Sequence, residues 1–117
     1  MAGVFTADKS TALVRYQVHD LDRSVEFYTH PLGFGVTQRA GPVAIVNRGD
    51  LRLLLSGPGS SGSRPMPDGR EQAPGGWNRI VLYVDDIDTT IAELEKAGAT
   101  FRNEVESGPG GKQIQVD

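Results

Sequence analysis

Cysteine is absent from the 117 residues, which excludes disulfides, thiolate zinc sites, iron–sulfur clusters and a cysteine nucleophile. Positive charge is not in excess. Twelve Lys and Arg face fifteen Asp and Glu for a net charge of −3, so the basic footprint of a nucleic-acid binder is missing. The basic residues form no run that would hold a membrane surface. No stretch reaches the ~18 apolar residues of a membrane span. The opening Met1-Ala2-Gly3-Val4-Phe5-Thr6 has no basic segment followed by an apolar one, so no leader is expected there. What is present is ordinary for one folded domain, with 38% hydrophobic residues, 23% charged residues and 15 glycines. These features predict a small cytoplasmic domain with no nucleic-acid or membrane partner.

The most informative feature is an internal echo. Val18-His19-Asp20-Leu21-Asp22-Arg23-Ser24-Val25-Glu26-Phe27-Tyr28 aligns with Val84-Asp85-Asp86-Ile87-Asp88-Thr89-Thr90-Ile91-Ala92-Glu93-Leu94. Each copy runs on to a glycine, Gly33 or Gly98. Each also opens on an alternating apolar run, Ala12/Val14/Tyr16/Val18 or Ile80/Leu82/Val84, whose period of two predicts a strand with one buried face. Asp20 and Asp86 stand where an N-cap carboxylate accepts from unpaired helix N–H groups. Asp22 and Asp88 add negative charge to the first turns, where it suits the helix dipole. Leu21, Val25, Tyr28 and Leu32 recur at helical spacing, as do Ile87, Ile91 and Leu94. Pro31 with Gly33 ends the first helix and Gly98 the second.

Further strands are predicted at 34–40, 43–48 and 51–56, with turns at Gly41-Pro42 and Gly49-Asp50, and in the second half at 100–106 and 112–117 around Gly108-Pro109-Gly110-Gly111. The halves thus read as a βαβββ module over 12–56 and a βαβ(ββ) module over 77–117, the second one strand short. Between them, Gly, Pro and Ser fill 13 of the 20 positions 57–76. Such a segment buries little apolar surface, so a flexible connector is expected, serving as a linker or as a flap over a pocket.

Two phosphate-binding patterns match in letters and fail in context. Gly57-Pro58-Gly59-Ser60-Ser61-Gly62 fits a dinucleotide fingerprint, but Pro65 and Pro67 follow where a helix would have to start. Gly108-Pro109-Gly110-Gly111-Lys112 has Glu106 in place of the first glycine of a phosphate loop and Gln113 in place of the magnesium-binding hydroxyl. His19 lies at a strand–helix junction and His30 at a helix end, where it offsets the terminal dipole. Neither is assigned to catalysis, and the catalytic residues are left unassigned.

The duplicated V-x-D-[LI]-x-x-[ST]-[VI] corner, continuing through Leu32-Gly33-Phe34 in one copy and Ala97-Gly98-Ala99 in the other, resembles the vicinal-oxygen-chelate superfamily. That group includes glyoxalase I, bleomycin-resistance proteins, fosfomycin-resistance transferases and extradiol dioxygenases. The resemblance spans about residues 12–117. It implies an α+β fold of tandem βαβββ modules whose curled mixed sheets form a cup for a small ligand, and it implies a homodimer. Metal-dependent members place ligands on the first strand of each half, on a later strand of the first half and on the last strand of the second. By position these fall at Leu13, at Arg79 and at Leu53 or Leu54, none of which coordinates a metal. The fourth falls after Asp117, so the given sequence is expected to be a shortened form with an exposed sheet edge. No metal and no cofactor are therefore expected.

Strand parity supplies a ligand site independently. Leu13, Arg15 and Gln17 alternate with Val14, Tyr16 and Val18, while Arg79, Val81 and Tyr83 alternate with Ile80, Leu82 and Val84. The uniformly apolar sets should pack on helices, leaving the mixed sets to line the cup. Arg15 and Arg79 would favour an anionic guest through bidentate bonds. The structural alternative is that each arginine snorkels to water or pairs with an acidic neighbour. Tyr83 serves equally as core filler. Trp77 either stacks on a ligand or anchors the flexible segment. The leading expectation is a metal-free small-molecule-binding protein. The alternatives are an enzyme of the same superfamily (lyase, isomerase or dioxygenase) and a module that binds a protein partner.

Overall fold

The computed structural model describes residues 12–109 and 111–117. The readings made on Met1–Thr6 and on Gly110 lie outside the described residues. The chain divides into two compact units, Met1–Trp77 and Asn78–Asp117.

In the first unit the chain runs β1 (Val14–Gln17), α1 (Leu21–Thr29), β2 (Gly35–Ala40), β3 (Val43–Arg48) and β4 (Leu51–Ser56). The strands form one mixed sheet in the order β1-β4-β3-β2. β2, β3 and β4 make an antiparallel meander, and β1 pairs in parallel with β4, setting Val14 opposite Leu53 and Gln17 opposite Ser56. A parallel neighbour requires a crossover, which α1 and the meander supply. The ladder carries on past β1, with the Val18 N–H donating to the Ser56 carbonyl at 2.9 Å.

α1 begins where Asp20, in extended conformation, accepts from the Arg23 N–H at 3.1 Å. His30 caps the other end, and its Nδ1 lies 3.0 Å from Glu26 Oε1 on an exposed surface. The chain then turns through Gly33, at φ +74°, so that the Phe34 N–H reaches the Tyr28 carbonyl at 2.9 Å. α1 packs on β2, β3 and β4 and joins Val25 and Phe34 to the buried residues Ala44, Val46, Leu53 and Leu55. Tyr28 meets Phe34 edge-on with ring centroids 5.2 Å apart. Burial, with the nearby Tyr16 as a lesser cause, pushes its phenol from 10.0 up to about 12.

In the second unit α2 (Ile87–Lys96) is followed by β5 (Glu106–Gly108) and β6 (Gly111–Gln113), an antiparallel pair. Asp86 caps α2, accepting from the N–H groups of Asp88 and Thr89 and from the Thr89 hydroxyl. Those bonds, the hydroxyl first, hold its carboxyl below the usual range. Gly98, at φ +84°, ends the helix. The Gly98 N–H bonds to Glu95 O and the Ala99 N–H to Leu94 O, the paired bonds of a Schellman turn that needs a left-handed residue. The hairpin extends beyond its short strands, through a Phe101–Val116 bridge and the Arg102 N–H to Gln115 O bond at 2.9 Å.

The fold is thus mixed α+β, with a four-stranded sheet and a separate two-stranded one. One expectation is corrected. Alternation predicted a strand at Ile80/Leu82/Val84, but no strand is assigned over 78–84. The first unit gives the reason. There the opening strand pairs only with the fourth strand, and among the described residues the second unit has no counterpart of β4. Alternation names the side chains that would share a face, and it does not specify the backbone groups that pair.

Two measurements check this packing. Leu55, fully buried, should lose about 2–5 kcal/mol of stability as Leu55→Ala, while Asp20→Ala should lose only about 1 kcal/mol, both read from denaturant unfolding. In an ultraviolet titration Tyr28 should ionise near pH 12, and Tyr28→Phe should remove that component. Because its folded pKa is raised, the stabilising share of Tyr28 is complete below pH 10 and lost as the pH rises to about 12.

Candidate functional site

Alternate side chains of a strand project to opposite faces, so the register sorts the first unit's sheet into two sides. Val14, Tyr16, Arg39, Ala44, Val46, Leu53 and Leu55 share the side that α1 covers, where the Arg39 guanidinium pairs with Asp22 of the helix. The opposite, helix-free side carries Arg15 and Gln17 of β1, Leu54 and Ser56 of β4, Val43, Ile45 and Asn47 of β3, and Gln38 and Ala40 of β2, with Leu13, just before β1, packed on it. A β-bulge between Val36 and Gln38 adds Thr37 to the same side, and its hydroxyl donates to Asn47 Oδ1 at 2.9 Å.

This side has an apolar centre and polar margins. Val43, Ile45 and Leu54 form a buried cluster against which Leu13 and Ala40 pack. Toward the end of β1, Arg15 Nη1 donates to Ser56 Oγ at 3.0 Å. Gln17 Nε2 donates to the Gly62 carbonyl at 2.6 Å. Gly62 belongs to a single 3₁₀ turn, Ser61–Ser63, which follows β4 and lies against the Arg15 and Gln17 side chains. A methyl group at Gly62 would fall on the Arg15 guanidinium. The buried side-chain oxygens Gln17 Oε1, Gln38 Oε1 and Ser60 Oγ have no hydrogen-bond partner among the described residues.

Of the seven residues singled out in the sequence, the sheet brings Leu13, Arg15 and Gln17 together on one face. Trp77, Arg79, Val81 and Tyr83 are not set on a sheet face, because 77–84 forms no strand. Trp77, Val81 and Tyr83 are 80%, 72% and 88% exposed. Sequence parity missed Ser56, Gly62, Gln38 and Ser60. Ser56 was within reach as the polar end of Leu51-Arg52-Leu53-Leu54-Leu55-Ser56, two positions along from Leu54. Gln38 was hidden by the bulge, and Gly62 and Ser60 by a composition that reads as linker.

The positions corresponding to family metal ligands do not fit a metal. Leu13 and Leu54 lie in the apolar cluster, Leu53 is fully buried on the helix side, and Arg79 carries a guanidinium. None offers a lone pair to a divalent cation. Among the described residues, no three His, Asp or Glu side chains are grouped to hold one. No helix among them is long and apolar enough to cross a membrane.

A family model described as the Glyoxalase/Bleomycin resistance protein/Dioxygenase superfamily matches residues 11–116, and the chain belongs to that superfamily. No curated protein matches it in sequence. Solved structures share its fold. A superfamily member from Sphaerobacter thermophilus DSM 20745 is 24% identical with a TM-score of 0.63, and the match covers 92% of this chain and 88% of that one. Lactoylglutathione lyase from Agrobacterium tumefaciens is 21% identical with a TM-score of 0.60, covering 92% and 85%. TioX from Micromonospora sp. ML1 is 20% identical with a TM-score of 0.64, covering 91% and 87%.

Proposed function

We propose that this chain is a binding protein for a small organic molecule, held against the helix-free side of the β1–β4 sheet without a metal. The observation that carries this reading is the composition of that side. Buried Val43, Ile45 and Leu54, with Leu13, make an apolar floor, and the donors Arg15 and Gln17 stand at one margin. Ligand sites combine these features, an apolar wall for affinity and a few fixed polar groups for orientation. Both margin groups are donors, and a guanidinium suits a carboxylate or another planar anion. Trp77, Arg79, Val81 and Tyr83 are proposed as ligand contacts on the alternation of their sequence alone.

An enzyme of the same superfamily is the second reading, because lactoylglutathione lyase shares the fold. It is the weaker one, since Leu13, Leu54 and Arg79 stand where metal-dependent members hold their ion. A homodimer is proposed under either reading, supported by the exposed apolar run of Trp77, Val81, Tyr83 and Val84. The proposed location is the cytoplasm.

The test uses 2-naphthoate, an apolar bicycle with one carboxylate, followed by isothermal titration and amide chemical shifts. Saturable binding that moves the Leu13, Arg15, Gln17 and Leu54 signals is expected without added metal. Arg15→Ala should weaken it about tenfold, the scale of one charge-assisted bond. Binding that appears only with a divalent metal, or turnover of ketoaldehyde–thiol adducts or catechols, would replace this reading with the enzyme. Light scattering at micromolar concentration should give twice the chain mass, and a monomer there would remove the dimer.

A further inference from the structure

The segment after β4 is built as a strap. At its root the Gly57 N–H donates to the Pro42 carbonyl at 2.8 Å, and a methyl at Gly57 would press on that carbonyl at 3.1 Å and on Leu21 Cβ at 3.3 Å. The root is therefore clamped between the β2–β3 turn and the start of α1. Beyond it the chain braces itself. The Ser60 N–H bonds to Gly57 O at 3.2 Å, and the Ser63 N–H and hydroxyl both bond to Ser60 O, at 3.1 and 2.9 Å. The tip of this stiff double turn reaches the sheet through the Gly62 carbonyl, which accepts from Gln17 Nε2. The Gly62 Cα lies so close to Arg15 that only a hydrogen fits between them.

The contact is closed but poorly satisfied. Ser60 is 3% exposed, yet among the described residues its hydroxyl has no partner, and neither does Gln17 Oε1 on the other side of the contact. Buried polar atoms without partners oppose the state that buries them. Lifting the strap would return both to water and give up the hydrogen bond from Gln17 Nε2 to the Gly62 carbonyl. The same lift frees Gln17 Nε2, a donor. What replaces a carbonyl acceptor at a donor is another acceptor.

We infer that Gly57–Ser63 is a displaceable strap that competes with guests for the Arg15–Gln17 corner, and that the guest is a carbonyl or carboxylate compound whose oxygen takes the place of the Gly62 carbonyl on Gln17. This rests on the reading of the helix-free side as a ligand site. It adds that the unliganded protein occupies its own polar subsite, so affinity for guests is set partly by the strap.

The absence of native cysteine allows a direct test with single thiols and iodoacetamide. The thiol of Ser60→Cys should react slowly, and the thiol of Ser61→Cys, at an exposed position, about tenfold faster or more, because alkylation follows access. Saturating 2-naphthoate should accelerate Ser60→Cys about tenfold. Adding Gln17→Leu should do so with no probe present, while far-ultraviolet circular dichroism stays unchanged. If Ser60→Cys reacts as fast as Ser61→Cys at the outset, the strap is not closed and the inference fails. If 2-naphthoate binds and leaves the Ser60→Cys rate unchanged, the guest does not displace the strap, and the inference fails while the binding function stands. If Gln17→Leu releases the strap but 2-naphthoate binds to neither protein, the ligand reading fails and the competition fails with it.

Discussion

The parallel ladder between β1 and β4 is the constraint on which the first unit depends. These strands are joined through a helix and two further strands, and they can pair only once α1 has crossed one side of the sheet. The register follows from that pairing. Leu53 and Leu55 turn to the helix, while Leu54 and Ser56 turn away from it, beside Arg15 and Gln17. A one-residue slip would exchange the two sets, placing Arg15 and Gln17 under the helix without partners. The core and the candidate site are therefore set by one ladder. The Val18–Ser56 bond that prolongs it also fixes where β4 ends and where the following segment turns back toward the sheet.

The helix-free side shows how polar groups are divided when an apolar sheet is left uncovered by a helix. At the β2–β3 end the bulge lets Thr37 satisfy Asn47. At the β1–β4 end Ser56 satisfies one Arg15 donor, and the chain's own backbone satisfies one donor of Gln17. Acceptors are less well served, since the orphaned oxygens belong to Gln17, Gln38 and Ser60. The superfamily's fold supplies the sheet, and the residues on it decide what the sheet holds.

Much of the architecture was legible beforehand because local chemistry and long-range pairing agreed. Both aspartate caps, the Gly98 stop and the strands of the meander lie where spacing put them, while α1 ends at Thr29, before Pro31 and Gly33. Each of those features is decided within a few residues, by a carboxylate facing free N–H groups or by a backbone angle that only glycine adopts at no steric cost. The alternation of β1 was legible too, and its register sets Arg15 opposite Leu54 and Gln17 opposite Ser56. The stretch from Ile80 to Val84 reads equally well as a strand, yet it is not one here. Alternation states which side chains would share a face, but it says nothing of whether a neighbouring strand is available. The Gly-, Pro- and Ser-rich segment after Ser56 carried the opposite message. Its composition suggests a chain with nothing to hold, while its first seven residues are braced by backbone bonds and seated against Arg15 and Gln17.

By itself the sequence determined the duplicated strand–helix corner, the aspartate caps of both helices and the alternation of side chains along β1. Those properties reside in residue identity and short-range spacing, which folding does not alter. Only the tertiary structure decided that Ser56 and Gly62 would meet Arg15 and Gln17, across 41 and 45 residues of chain between the bonded pairs. It also decided that the second alternating run, over 78–84, would form no strand and that a glycine-rich segment would close over a polar corner. These outcomes depend on which distant backbone groups come within hydrogen-bond range, and no local pattern encodes that distance.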